Sequence, residues 1–211
     1  MALRHLGFID LPAHAKAGGF DHAAVHEPTG RIYVAHTAND AVDVIDVQRQ
    51  RCVGSIPGLA GVAGALVAEP DLVFTSNRAE NTVGVFSVGD APRVEKIGVG
   101  IRPNGLAYDP RRGRLLAAHV GDPAIPGSCT VSIVDVGARQ RLADVAVAGR
   151  TRWTVYDRLG DAFHVNIADP PQIVVERGRG SPPRPPSRRD PSRGPARARH
   201  RRGASPAVLR V

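Results

Sequence analysis

The sequence predicts an all-β protein built from a repeated four-stranded unit. Short apolar runs, rich in β-branched residues, recur about every 41 residues. Turns rich in Asn, Asp, Gly and Pro separate the runs, and no segment has the 3.6-residue period of an amphipathic helix. Together these observations favour short antiparallel strands over any helical arrangement.

The central two strands of each unit carry the clearest signal. They are expected at 30–36 and 39–46, at 72–77 and 80–86, at 113–119 and 130–135, and at 161–166 and 172–176. A shorter run precedes each pair, as at 23–25, and a fourth run follows it, as at 52–56. The sequence therefore predicts four-stranded repeats near 20–58, 61–100, 102–149 and 151–176.

Four-stranded units that repeat in register are typical of a β-propeller. A β-sandwich also has short strands and frequent turns, but it lacks such a repeat. We predict about four blades of an incomplete ring over residues 1–176. Residues 6–11 are expected to form a strand outside the first blade that would complete a final blade. Exposed blade edges would then favour an oligomer.

Several motifs resemble the YVTN (YncE-like) family of propeller repeats. The matching stretches are Pro103-Asn104-Gly105-Leu106-Ala107, Ile32-Tyr33-Val34-Ala35-His36, Asn81-Thr82-Val83-Gly84-Val85-Phe86 and Ala41-Val42-Asp43-Val44-Ile45-Asp46. The resemblance covers roughly residues 5–176. It implies a seven-bladed ring in the family's usual form, and it does not imply one activity.

The last 35 residues have a different composition. Residues 177–211 contain eleven arginines and one acid, whereas the other 176 residues contain 17 basic and 19 acidic side chains. Such a segment is expected to be disordered, since it has little apolar surface to bury. A shift of reading frame near codon 176, a genuine disordered tail and a nucleic-acid-binding arm would each produce it. The frame shift is favoured because the strand pattern stops inside a blade, and nucleic-acid binding is the least favoured.

Standard catalytic and metal-binding motifs are missing, so we predict no catalytic residue, metal or cofactor. Cys52 and Cys129 occupy non-equivalent places in the repeat and are expected to be unpaired. No export signal or apolar span is visible, which predicts a soluble cytoplasmic protein without a membrane partner.

Aligning the repeats gives a first polar column at the end of the second strand: His36, Asn77, His119 and Asn166. These side chains could surround one rim as ligands. A structural role in the turn to the third strand is favoured, because every blade has a polar residue there.

A second column, His22, Ala63, Asn104 and Arg152, begins the innermost strand and varies between blades. Variation at the mouth of a central channel would suit a ligand site. With their neighbours Asp21 and Trp153, the polar residues His22, Asn104 and Arg152 form the candidate binding site. Trp153 is expected to pack between blades or to serve as a stacking platform.

The favoured function is a non-enzymatic propeller that presents its channel and loops to a small molecule or a protein partner. A metal-dependent hydrolase of the lactonase type is an alternative, and Asp21 and Asn104 would supply two of its ligands. No glutamate lies in that column, which counts against the hydrolase. Nucleic-acid binding through the basic tail is the third hypothesis.

Overall fold

The computed structural model describes residues 3–68, 70–89, 92–176 and 208–210, which form four antiparallel four-stranded sheets. Blade 1 contains β1 (Ala23–His26), β2 (Arg31–His36), β3 (Ala41–Asp46) and β4 (Arg51–Ile56). Blade 2 contains β5 (Val62–Ala68), β6 (Leu72–Asn77), β7 (Thr82–Ser87) and β8 (Glu95–Gly98). Blade 3 contains β9 (Pro103–Asp109), β10 (Arg114–His119), β11 (Thr130–Asp135) and β12 (Gln140–Ala146). Blade 4 contains β13 (Thr151–Asp157), β14 (Ala162–Ile167), β15 (Gln172–Glu176) and β16 (Val208–Arg210).

The blades pack face to face because neighbouring strand residues point to opposite sides of a sheet. In β6, Val73 joins the hydrophobic cluster shared with blade 1, whereas Phe74 joins the cluster shared with blade 3. In β10, Leu115 faces blade 2 and Leu116 faces blade 4. Three hydrophobic clusters therefore fill the three junctions between successive blades. This explains why the strands of the inner blades are nearly continuous apolar runs in the sequence.

The innermost strands β1, β5, β9 and β13 lie side by side along a common axis. With four-stranded antiparallel sheets around that axis, the protein has the architecture of a β-propeller, and the predicted fold class is confirmed. In the first and last of the four blades, Val25 and Val155 remain about half exposed, at 53% and 47%.

The predicted strand over residues 6–11 is wrong. Residues 3–20 contain no strand, and Leu6 and Phe8 are exposed. The outer strand of blade 4 is instead β16, which pairs with Gln172–Val174 of β15. The rest of the predicted disordered tail, 177–207 and 211, lies outside the described residues.

Two further findings concern individual sequence predictions. Cys52 and Cys129 are both free, as predicted. Within the part of the chain that the structure describes, no helix is long and apolar enough to cross a membrane.

Candidate functional site

The innermost strand of each blade, or in blade 1 the segment directly before it, carries a β-bulge at the same place, where two residues oppose one residue of the second strand. In blade 1, Asp21 N donates to Ala35 O, and Ala35 N donates to His22 O, both at 2.9 Å. Register shifts mark the same bulge in the other three blades. The four bulge pairs are Asp21–His22, Ala63–Gly64, Asn104–Gly105 and Arg152–Trp153. A bulge leaves its extra residue unpaired and redirects side chains, here toward the axis.

The bulges correct the alignment of the second column by one residue in blade 1. Asp21, rather than His22, is equivalent to Ala63, Asn104 and Arg152. His22 belongs to the column of Gly64, Gly105 and Trp153. The sequence alignment missed this because the bulge in blade 1 precedes β1 and does not alter the spacing of the apolar residues.

Glycine is needed at the bulges of the two inner blades because the next blade approaches closely. A Cβ on Gly64 would lie 2.7 Å from Asn104 O, and one on Gly105 would lie 2.6 Å from Arg152 O. Both distances are too short for a side chain unless the next strand moves. Trp153 has the equivalent place in blade 4, and its ring turns into the axial space beside His22.

In blades 1 and 2, the turn after the second strand contacts the segment that leads to the next blade's bulge. Asp40 and Asn81 adopt left-handed backbone conformations, with φ of 49° and 55°. Asp40 Oδ1 accepts a hydrogen bond from Gly61 N at 2.7 Å, and Asn81 Oδ1 accepts one from Arg102 N at 2.9 Å. In blades 1 and 2, this Asp or Asn therefore fixes the entry of the next blade's innermost strand, two residues before its bulge.

Backbone hydrogen bonds define a third column at this entry. The carbonyls of Gly19, Gly61, Arg102 and Arg150 accept hydrogen bonds from Ala38, Arg78, Val120 and Ala168, respectively. This position is glycine in blades 1 and 2 and arginine in blades 3 and 4. The positive residues therefore accumulate on one side of the axis.

These columns surround a solvent-open cavity of about 470 Å³ at one end of the axis. Its lining residues are Asp21, His22, Arg78, Asn104, Arg150, Arg152 and Trp153. All five candidate residues from the sequence, Asp21, His22, Asn104, Arg152 and Trp153, lie together there. We call this cavity the axial pocket.

Sequence reasoning missed two of its residues, Arg78 and Arg150. Arg150 could have been found from the third column, since glycine in the first two repeats gives way to arginine in the last two. Arg78 follows the second strand of blade 2, where the other blades have no arginine, so the repeat pattern does not single it out.

Arg78 is the most constrained guanidinium of the pocket. Its Nη2 donates to Asn104 Oδ1, and the same atom lies 3.6 Å from Asp21 Oδ2. Its Nε is buried and has no hydrogen-bond partner. Burial lowers the pKa of Arg78; Asp21 raises it, and the nearby guanidiniums of Arg102, Arg150 and Arg152 lower it further. The like charges thus act on one another across the pocket.

His22 and Trp153 join the first and last blades across the axis, with ring centroids 4.3 Å apart. His22 Nδ1 lies 3.1 Å from both Ala63 O and Asp21 Oδ1. Because both neighbours are acceptors, Nδ1 carries a proton. Trp153 remains 47% exposed, so part of its ring faces the pocket.

A smaller cavity of about 120 Å³ adjoins the axial pocket. It shares His22, Asn104 and Trp153 with the pocket, and its other walls are small or apolar residues of the innermost strands: Ala23, Ala24, Gly64, Ala65, Leu66 and Leu106. A charged mouth therefore lies directly beside a less polar recess.

The first polar column lies away from the pocket and inside the blades. Buried His36 bonds through Nδ1 to Asp43 Oδ2 at 2.7 Å, and Ser55 Oγ donates to Asp43 Oδ1 at 2.5 Å. In blade 3, His119 contacts Thr130 Oγ1 at 2.8 Å and Ser132 Oγ at 3.3 Å. His36 thus connects the second, third and fourth strands of blade 1 through Asp43, and His119 connects the second and third strands of blade 3.

Asn77 makes the predicted contact across the turn, where its Nδ2 donates to Thr82 Oγ1 at 3.0 Å, and His119 makes the equivalent contact with Thr130. Asn166 does not belong to this column. Ile167 pairs with Gln172 as Asn77 pairs with Thr82, so Ile167 has the equivalent place. Asn166 lies one residue earlier, which puts it on the opposite face of the strand, and it is exposed.

Among the described residues, no three His, Cys, Asp or Glu side chains come close enough together to hold a metal ion. Asp21 and Asn104 do line the same pocket, but Arg78 lies between them and contacts both. A guanidinium in that position occupies the oxygen atoms that a cation would need.

No protein-family model matches the chain, and no curated protein is similar to it in sequence. Among solved structures, the chain is similar to Kuenenia stuttgartiensis hydrazine synthase, with a TM-score of 0.65 and 14% sequence identity. The match covers 78% of this chain and 47% of that one, so it spans about half of the hydrazine synthase chain. At this identity, the similarity shows the fold alone.

Proposed function

We propose that the protein is a ligand-binding β-propeller of the YVTN (YncE-like) type, which binds a small molecule in the axial pocket. The observation that carries the proposal is the convergence of polar side chains from all four blades on one cavity. Asp21 and His22 come from blade 1, Arg78 from blade 2 and Asn104 from blade 3, while blade 4 contributes Arg150, Arg152 and Trp153.

A repeated bulge directs five of these side chains inward, namely Asp21, His22, Asn104, Arg152 and Trp153, yet the side chains themselves differ from blade to blade. A feature needed only to hold a blade together would be the same in each blade, as the bulge is. Convergent polar groups beside an apolar wall are typical of small-molecule sites. The YVTN resemblance supports the proposal through Asp40 and Asn81, whose hydrogen bonds set the entries of the following innermost strands.

Ligand-observed NMR with a library of small polar compounds tests the proposal on the full chain. We expect several compounds to receive saturation from the protein and to lose that signal in a Trp153→Ala variant. A Leu159→Ala variant is the matched control, since Leu159 is an exposed apolar residue of the same blade and does not line the pocket.

The proposal is contradicted if no compound in the library loses its binding in Trp153→Ala. Binding that Trp153→Ala and Leu159→Ala reduce equally would also contradict it, because it would place the ligand elsewhere. The screen includes metal ions with a lactone substrate, and a single-stranded oligonucleotide, so that hydrolysis and nucleic-acid binding give distinct outcomes.

A further inference from the structure

We infer that the ligand of the axial pocket is a small oxyanion, a phosphate or carboxylate attached to a compact apolar group. This inference rests on the proposed function and names the chemical class that the pocket would select. It follows from the charge of the pocket, from its free donors and from the recess beside it.

The pocket has an excess of positive charge. Arg78, Arg150 and Arg152 line it together with one carboxylate, Asp21. Among the described residues, only Arg78 of these three lies within 4.0 Å of a carboxylate, and it does so at 3.6 Å. Arg150 and Arg152 are exposed toward solvent without an acidic partner in that part of the chain.

Four arginines elsewhere in the described residues are paired more closely. Each lies at 3.3 Å or less from an acidic side chain in the pairs Arg112–Asp109, Arg114–Asp135, Arg139–Glu95 and Arg141–Asp144. Packing like charges together costs free energy unless a counter-ion joins them. The pocket therefore has the electrostatics of a site that an anion completes.

The donors of the pocket suit an oxyanion. A guanidinium presents planar N–H groups that match carboxylate and phosphate oxygens. Asn104 holds Arg78 by accepting from its Nη2, and the buried Nε of Arg78 has no acceptor. One donor of this guanidinium is therefore held in place, and the exposed guanidiniums of Arg150 and Arg152 supply the donors that a ligand can reach.

Asp21 competes with such a ligand. Its carboxylate lies 3.6 Å from Arg78 and 3.1 Å from His22, on the wall of the same pocket. An incoming oxyanion would be repelled by Asp21 and attracted by the arginines. Removing Asp21 should therefore strengthen binding, whereas removing Arg152 should weaken it.

The apolar part of the ligand is expected in the recess of about 120 Å³ that adjoins the mouth. Leu66, Leu106 and the ring of Trp153 line this recess. Its volume suits a small group such as a phenyl ring, and an extended polymer would not enter it. A ligand with an oxyanion at one end and a compact apolar body would use both cavities.

Trp153 is the protein's only tryptophan, so its fluorescence reports on the pocket. Full-length protein is titrated with phenyl phosphate, with benzoate and with the neutral analogue benzamide. We expect saturable changes in emission with one or both anions, at concentrations at least tenfold below those needed for benzamide. The two anions distinguish a phosphate ligand from a carboxylate ligand.

Variants separate this inference from a merely structural role of the same residues. Arg152→Gln should weaken anion binding at least tenfold, and Asp21→Asn should strengthen it several-fold. Arg51→Gln removes the same charge from an exposed position on β4 and should change nothing. Arg150→Gln replaces Arg152→Gln if the latter does not fold, with the same expected direction.

The inference is overturned if benzamide binds as tightly as the anions, or if Asp21→Asn and Arg152→Gln shift affinity in the same direction. In that case compounds that depend on Trp153 would still support the proposed function. If neither anions nor neutral compounds bind, and no compound in the NMR library depends on Trp153, the proposed function fails as well.

Discussion

The axial pocket and the polar networks of the blades use the same residue types in opposite ways. Beside the pocket, burial and neighbouring guanidiniums lower the pKa of Arg78. Between blades 3 and 4, Arg112 donates to Asp161 at 2.7 and 2.8 Å and to Asp109 at 2.7 Å. These hydrogen bonds raise the pKa of Arg112, with the larger effect coming from Asp161. We call this second arrangement the Arg112 clamp.

Histidines show the same contrast. His119 is fully buried and connects two strands, and burial lowers its pKa to about 4. His22 is partly exposed and faces Trp153 across the pocket. A polar side chain whose partners all belong to the fold serves stability, whereas one that keeps free donors near solvent is available to a ligand.

The largest effect is expected from breaking the Arg112 clamp. In Arg112→Met, the nearly buried Asp109, 2% exposed, loses its guanidinium partner. Arg111 N still donates to Asp109 Oδ1 at 2.9 Å, but the loss of the charged partner of this buried carboxylate should lower the free energy of unfolding by about 3 kcal/mol. Chemical denaturation of this variant and of the exposed control Arg51→Met measures the difference. A loss below about 0.5 kcal/mol, within the range of ordinary surface changes, would contradict the assigned role.

A pH-dependent loss of unfolding free energy, of similar or smaller size, is expected from the protonation of His119. Its native pKa of about 4 lies below the ordinary value of 6.5, so between these values the unfolded chain binds more protons. The stabilisation by neutral His119 is therefore complete above pH 6.5 and is lost as the pH falls toward 4. The loss should reach roughly 3 kcal/mol at most.

The His119→Asn variant isolates this effect. Blade 2 has Asn77 at the same place, where it contacts Thr82 as His119 contacts Thr130. The unfolding free energy of the variant should vary less between pH 6.5 and 4 than that of the natural sequence. Asp144 raises the pKa of His119 and Arg141 lowers it, so Arg141→Gln should shift the midpoint of the loss upward. Parallel pH profiles for His119→Asn and the natural chain would contradict the prediction.

Gly105→Ala should affect both regions, because the bulge glycine of blade 3 touches the strand that bears Arg152. The added Cβ would lie 2.6 Å from Arg152 O and 3.0 Å from Thr154 Cγ2. We expect a loss of about 1–3 kcal/mol in the free energy of unfolding, together with weaker anion binding. Gly98→Ala on the outer strand β8 has no atom within 4 Å of its Cβ and serves as the control. Equal stability of the two variants would show that blade 4 can move away at little cost.

The smallest change in stability is expected from Arg152→Gln, since this guanidinium is exposed and has no carboxylate partner among the described residues. Its removal should change the free energy of unfolding by less than about 0.5 kcal/mol. Thermal unfolding at low and high salt checks this. A loss comparable to that of Arg112→Met would mean that Arg152 serves the fold, and the contrast between the two regions would disappear.

The sequence was sufficient to predict the blades because side-chain alternation determines which face each residue occupies. Val73 and Phe74 illustrate this, since each fills a different junction. It was less reliable wherever an irregular backbone changes the register. The bulge at Asp21 and His22, and the one-residue shift that replaces Asn166 with Ile167, leave the apolar spacing intact and are therefore invisible in it.

The pocket could be predicted in part, because alignment of the repeats shows which positions vary. Asn104 and Arg152 stand out because a repeated position varies in character between blades. Arg78 has no such marker, because it enters the pocket from the end of a second strand. The Arg112 clamp also depends on a contact between blades that no periodicity encodes.

The most direct test of the contrast is the stabilisation that phenyl phosphate gives to three chains: the natural sequence, Arg152→Gln and Arg112→Met. A ligand that binds only the folded state adds about 2.7 kcal/mol to the free energy of unfolding at 100 times its dissociation constant. We expect that gain in the natural chain and in Arg112→Met, and about half of it or less in Arg152→Gln at the same concentration. An equal gain in all three chains, or none in the natural chain, would contradict the claim that the axial arginines bind an anion.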